Sequence, residues 1–208
     1  MQQTETVIFD LGAVLIDWNP RHLYRKIFSE EARMEWFLSN ICTSDWNEEQ
    51  DAGRSFEEAT ALLIRQHPEW ANEINAFWLR WEEMLAGPID GTVDIFRAWK
   101  ATGNHRFLAL TNWSAETFPI AQKKYDFLGW FDGIVMSGEE KTRKPFPGFY
   151  RILLDRYQVD PAKALFIDDN LRNIEAALAL GIPSIHFRDP GQLRNELTGR
   201  GIILSPAG

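Results

Sequence analysis

Val7-Ile8-Phe9-Asp10-Leu11-Gly12 sets the pattern for this chain: three apolar residues in a row deliver a carboxylate into a glycine-containing loop. An apolar run that short, bounded by a turn signal, suits a strand buried on both faces. The pattern recurs downstream. Phe107-Leu108-Ala109-Leu110 runs into Thr111-Asn112, and Ala164-Leu165-Phe166-Ile167 runs into Asp168-Asp169. A fourth group, Lys144, precedes Pro145 in the basic loop Lys141-Thr142-Arg143-Lys144. Three of these four stations close a strand pattern that gives way to a helical one, which is where open α/β sheets gather their reactive groups.

From Asp90 onward the periodicity predicts helices near Val93 to Ala101, from Ser114, through Phe149 to Tyr157 and over Leu171 to Leu180. Strands are predicted from Phe107, at Ile134-Val135-Met136, at Leu165 to Ile167 and near Ile185. Strands alternating with helices imply an α/β fold, a Rossmann-like parallel sheet with helices on both faces. Gly103 and Gly181 fall where helix ends favour a positive φ, and Asp189-Pro190 reads as an N-cap followed by Pro at the first helical position.

Nearly a hundred residues separate Phe9 from Phe107, whereas a strand-helix-strand unit needs little more than about 30. The excess reads as an inserted helical cap. Leu23, Tyr24, Ile27 and Phe28 share one helical face, Ser55-x-x-Glu58 is a capping box, and Trp70, Ile74, Phe77, Trp78, Trp81 and Leu85 stripe a further helix. The expected domains are a core of 1–17 and 90–208 and a cap of 18–89. Trp at helical spacing in the cap is read as packing rather than as an aromatic ligand box.

The 208 residues are 45% hydrophobic and 25% charged with a net charge of -8, the profile of an ordinary globular protein. That charge argues against nucleic acid and anionic membrane as partners. No run of about 18 apolar residues occurs, and Met1 to Glu5 has no basic region leading into an apolar one, so the expected location is cytoplasmic. The single Cys42 excludes an internal disulfide; it is expected to be a half-buried, inert thiol.

Each station has a chemistry. Asp10 is a competent phosphoryl acceptor, forming an aspartyl-phosphate, or it merely caps a turn. Thr111 and Asn112 offer a hydroxyl and backbone N–H groups to a phosphoryl oxygen, ahead of a helix N-terminus. Lys144 is a fixed positive charge able to offset Asp10 and a transferring phosphoryl group. Asp168 and Asp169, adjacent at a strand end, repel each other unless a cation or hydrogen bonds intervene, and hard oxygen ligands suit Mg²⁺.

As an ordered set, Phe9-Asp10-Leu11-Gly12, Leu110-Thr111-Asn112, Lys144-Pro145-Phe146-Pro147 and Phe166-Ile167-Asp168-Asp169-Asn170 resemble the haloacid dehalogenase superfamily over essentially the whole chain. The resemblance implies a Mg²⁺-dependent phosphatase in which Asp10 attacks phosphorus and Thr111 and Lys144 hold the phosphoryl oxygens. Asp10, Asp169 and the Gly12 carbonyl would ligate Mg²⁺, with Asp168 joining directly or through water. The implied partner is a small phosphorylated metabolite, and a monomer and a homodimer are both compatible with the sequence.

One departure stands out. Phosphatases of that family carry a second Asp two residues after the nucleophile as general acid and base, and Gly12 occupies that place here. Loss of a positioned proton donor costs roughly 10² to 10⁴ in rate. Asp17, His22 and a bound water are candidate substitutes. The same start is similar to a subgroup with sugar-1-phosphate phosphatases, which points to sugar phosphates. Two alternatives stay open: a metal-independent 2-haloacid dehalogenase, which the acid pair at 168–169 opposes, and a non-catalytic phosphate-binding relative. Trp46, Asn47 and Arg54 are candidates for cap residues that face the site.

Overall fold

The computed structural model describes residues 4–202 and 204. In chain order its elements are β1 (Thr6–Phe9), β2 (Ile16–Trp18), α1 (Pro20–Tyr24), α2 (Glu31–Asn40), α3 (Ser44–Asp51), α4 (Phe56–Gln66), α5 (Ala71–Leu79) and β3 (Leu85–Pro88). They continue as α6 (Asp90–Lys100), β4 (Arg106–Thr111), α7 (Phe118–Lys124), β5 (Gly133–Met136), α8 (Ser137–Glu140), α9 (Pro147–Tyr157), β6 (Ala164–Asp168), α10 (Leu171–Ala179), β7 (Ser184–His186) and α11 (Pro190–Gly199).

Five strands form one sheet in the order β5-β4-β1-β6-β7, and every pairing in it is parallel. The strands are apolar throughout because the sheet buries both faces. Val7, Phe9, Phe107, Ala109, Leu165 and Ile167 point to one face, where they pack with Phe96 and Trp99 of α6 and with Leu193 and Leu197 of α11. The alternate residues Ile8, Leu108, Leu110 and Phe166 point to the other, against Phe149, Tyr150 and Leu153 of α9 and Ile174 of α10. The chain runs from β1 outward through β4 and β5, then returns to the opposite side of β1 for β6 and β7. That reversal opens a crevice at the carboxyl ends of β4, β1 and β6.

The insert leaves and re-enters the core through an antiparallel ribbon, β2 against β3, in which Asp17 faces Gly87. Helices α1 to α5 hang from it. Their aromatic residues pack on one another: Phe56 and Trp78 stack at 4.8 Å, and Phe37 lies 5.4 Å from Trp70. The buried cluster continues without a break into the core, where Trp81 meets Trp113 at 5.7 Å.

Several local expectations change. The stripe from Trp70 to Leu85 is not one helix, since α5 ends at Leu79, a 3₁₀ turn carries Trp81 to Met84 and Leu85 begins β3. Ala86-Gly87-Pro88, with Gly87 at φ 143°, cannot continue a helix. The helix expected from Ser114 starts four residues later, at Phe118. Ser114 instead heads a turn, its carbonyl accepting from the amides of Thr117 and Phe118, and Pro119 follows where its missing N–H costs nothing. Gly103 and Gly181 do adopt positive φ, 69° and 78°, and Asp189 caps α11 by accepting from the Gln192 amide at 2.8 Å. Ser55 accepts from the Glu58 amide at 3.2 Å as the capping pattern requires. Cys42 is 3% exposed, buried where half-burial was expected, because the insert folds around it.

Candidate active site

The sheet ends bring Asp10, Thr111, Lys144, Asp168 and Asp169 to one place. Asp10 leaves β1 with Oδ1 accepting from the Leu11 amide at 2.7 Å and from Lys144 Nζ at 2.9 Å. Its other oxygen has no hydrogen bond among the described residues, and the residue lines a cavity of about 730 Å³ between core and insert. Burial pushes the Asp10 carboxyl up to about 8, with Lys144 opposing that rise and Asp168 and Asp169 adding to it.

Lys144 is fully buried as a side chain and bridges two carboxylates, Asp10 at 2.9 Å and Asp168 Oδ2 at 2.7 Å. Burial pulls its ammonium down, but the two carboxylates outweigh that and hold it above its ordinary value. Its backbone is fixed as tightly. Asn112 donates through Nδ2 to the Lys144 carbonyl at 3.0 Å and accepts the Lys144 amide at Oδ1 at 2.9 Å. The Lys144-Pro145 peptide bond is cis.

Asp168 is saturated with donors. Besides Lys144 it accepts from the Asn170 amide at 2.8 Å and from Asn173 Nδ2 at 3.0 and 3.1 Å. Asn173, one turn into α10 and 5% exposed, was not singled out by the sequence. A polar residue on the otherwise apolar inner face of α10 was the signal.

Thr111 closes β4 completely buried, and its Oγ1 has no partner among the described residues. A buried hydroxyl without a partner costs roughly 1 to 3 kcal/mol, a cost that an oxygen of a bound ligand would relieve. Carboxylate oxygens of Asp10, Asp168 and Asp169 all lie within 4.8 Å of one another. Three hard anionic donors so close fit a divalent cation such as Mg²⁺.

The insert contributes Trp18, Asn19, Arg21, Ser39, Asn47 and Asp51 to the cavity wall. Of the three cap candidates only Asn47 lines it. Trp46 packs edge-on against Phe77 at 5.0 Å, and Arg54 is engaged with Gln50 Oε1 at 2.8 Å and the Trp46 carbonyl at 3.2 Å. Asp17 and His22 pair with each other at 3.0 Å, and neither lines the cavity. Gly12 does line it, and a Cβ built there meets nothing within 4 Å.

Comparison with known proteins agrees with this architecture. A model of the haloacid dehalogenase-like hydrolases matches residues 4–181, and the chain belongs to that family. It is 27% identical to a sesquiterpene phosphatase of Aspergillus oryzae over 89% of this chain and 90% of that protein. It is also 27% identical to a drimenol cyclase of Aspergillus calidoustus, over 97% of this chain but only 37% of that protein's length. A haloacid dehalogenase family enzyme of Bacteroides thetaiotaomicron, a variant in complex with magnesium and inorganic phosphate, superposes with a TM-score of 0.68 at 19% identity, covering 89% of this chain and 95% of the other. No described helix is long and apolar enough to cross a membrane.

Proposed function

We propose that this hydrolase is a Mg²⁺-dependent phosphatase that cleaves a small phosphorylated metabolite through an aspartyl-phosphate on Asp10. The observation that carries the reading is the Asp10-Lys144-Asp168 bridge beside the unpartnered Thr111 hydroxyl. Lys144 occupies one oxygen of Asp10 and leaves the other for attack on phosphorus. The Thr111 hydroxyl, the Asn112 backbone N–H and Lys144 receive the phosphoryl oxygens, so charge that grows during transfer meets donors already in place. The side-chain amide of Asn112 is not free for substrate, being occupied by the Lys144 backbone.

Asp10, Asp169 and the Gly12 carbonyl would hold Mg²⁺, with Asp168 joining directly or through water. When bound, the ion screens the repulsion between an anionic nucleophile and an anionic phosphate. We read residues 18–89 as a cap domain over a core of 1–17 and 90–208, with the cavity between them as the substrate chamber. Its wall joins apolar Trp18, Leu38 and Phe77 to polar Asn19, Ser39 and Asn47, and the polar part suits a hydroxylated substrate such as a sugar phosphate. The similarity to the sesquiterpene phosphatase of Aspergillus oryzae supports phosphate-ester chemistry.

Hydrolysis of p-nitrophenyl phosphate in Mg²⁺ and in EDTA, with Asp10→Asn alongside, tests the reading. Turnover that needs both the metal and Asp10 is expected. Halide release from a 2-haloacid without metal would instead establish the dehalogenase alternative, which the paired acids Asp168 and Asp169 disfavour.

A further inference from the structure

Gly12 leaves the site without the proton donor that a phosphate ester with a poor leaving group requires. We propose that Asp51, at the end of α3, takes that role: as an acid it protonates the leaving oxygen, and as a base it accepts a proton from the water that follows. The inference rests on the phosphatase reading above and adds a catalytic residue to it.

Asp51 lines the same cavity as Asp10, Gly12, Asn112 and Asp169. Its carboxylate accepts from Asn47 Nδ2 at 3.1 Å within the insert. The backbone beneath it is anchored too. Ser137 Oγ donates to the Asp51 carbonyl at 2.5 Å, and Lys141 Nζ to the Gly53 carbonyl at 3.3 Å. A group on the insert is thus fixed relative to the core nucleophile, as proton transfer demands. Gly12 leaves open space in the same cavity, since a Cβ there meets nothing within 4 Å apart from its chain neighbours.

Other acids of the cavity wall are spoken for. Asp10 and Asp169 belong to the nucleophile and metal set, Glu48 is bound by Arg143 at 2.9 Å and Arg172 at 2.7 Å, and Asp45 is exposed at the start of α3. Asp17 and His22 lie outside the cavity. Asp51 also has the proton affinity the role needs: burial and nearby Glu48 push it up to about 7, against Arg143, the Ser114 amide and Lys144, which pull it down.

The steps balance. Asp10 attacks phosphorus, the bond from phosphorus to the ester oxygen breaks, and that oxygen leaves with the proton of Asp51 as an alcohol. Water then attacks the aspartyl-phosphate, its proton passes to the Asp51 carboxylate, and the bond from phosphorus to Asp10 breaks. Inorganic phosphate and the starting enzyme result.

The test compares kcat/KM for p-nitrophenyl phosphate, whose leaving group needs little protonation, with phenyl phosphate, whose leaving group needs more, in the wild type, Asp51→Asn and Asp51→Asn with Gly12→Asp. The ratio of the two substrates does not depend on how much of a variant is folded. Asp51→Asn is expected to lose about 10² to 10⁴ on phenyl phosphate and less than about tenfold on p-nitrophenyl phosphate. The fall in the phenyl phosphate rate as pH rises through about 7 should vanish with it, and Gly12→Asp should restore part of the loss. An equal loss on both substrates overturns the proposal and leaves Asp51 a tie between insert and core. If the variant does not fold, the wild type alone decides, because a steep drop from p-nitrophenyl to phenyl phosphate means that no donor acts. Wild-type inactivity on both substrates overturns the phosphatase reading itself and this proposal with it.

Discussion

Asn112 grips Lys144 by both halves of its amide, accepting the Lys144 N–H at 2.9 Å and donating to the Lys144 carbonyl at 3.0 Å. The contact joins the end of β4 to the loop before α9 and fixes the one cation that touches Asp10 among the described residues. Asn112→Ala leaves the partly buried Lys144 amide without a partner and its carbonyl with only the long contact from Arg143 at 3.4 Å, the lost amide partner costing about 1 to 3 kcal/mol where water cannot replace it. Thermal unfolding should show a lower Tm, and kcat/KM for p-nitrophenyl phosphate should fall with no new dependence on the leaving group. An unchanged Tm would mean that water replaces the side chain.

Asp10→Asn removes the carboxylate proposed to attack phosphorus while keeping its size. Turnover should fall on the order of 10⁴-fold or more, with circular dichroism unchanged. Activity above a tenth of wild type would place the nucleophile elsewhere.

Metal binding has a signature apart from turnover. Mg²⁺ at about 100 times its Kd should stabilise the fold by about 2.7 kcal/mol, seen as a rise in Tm that EDTA reverses. Asp169→Asn should abolish that rise with little effect on the metal-free Tm. Asp168→Asn should lower the metal-free Tm itself, because its two oxygens engage Lys144, Asn170 and Asn173. Identical behaviour of the two variants would contradict the division of labour between the two acids.

Asp51 gives the pH dependence of stability a definite sign. Its carboxyl rises from 3.8 to about 7 on folding, through burial first and Glu48 second. The stability it contributes is complete below pH 3.8 and is lost as pH rises through about 7. Asp51→Asn, which does not titrate, should therefore gain stability relative to wild type across that window. A Tm difference that stays flat or runs the other way would show that the ionised form is not penalised.

Cys42 should be silent in the native state. Its thiol is 3% exposed and burial pushes it up to about 12, so almost no thiolate exists at pH 8. A chromogenic disulfide reagent should find no thiol in the folded protein and one per chain in guanidinium. Rapid native labelling would mean that the insert opens.

Sequence alone carried the core well, and the reason is local. A strand buried on both faces must be apolar along its length, so Val7 to Phe9, Phe107 to Leu110 and Ala164 to Ile167 announce themselves, and Asp10, Thr111 and Asp168 fall at their ends by continuity. Lys144 was legible from its ordered place between those stations. The ribbon β2–β3 was not, since three or four residues show no period and Leu85 continues a helical stripe by coincidence of spacing. Asn173 serves Asp168 only five residues back, and its signal was a polar side chain on an otherwise apolar helix face. Asp51 stayed hidden for another reason: it is tied to Ser137, far away in sequence, and a pairing of that kind arises only once the sheet has closed.

The ribbon also makes the two halves separable in descent. Because Asp17 and Gly87 lie side by side, the chain departs for the insert and returns at a single point, so residues can be gained, lost or exchanged between them without moving Asp10 in its strand. Substitutions at Ser39 of α2 or Asn47 of α3 would reshape the cavity wall while leaving the sheet end that carries Asp10 as it is.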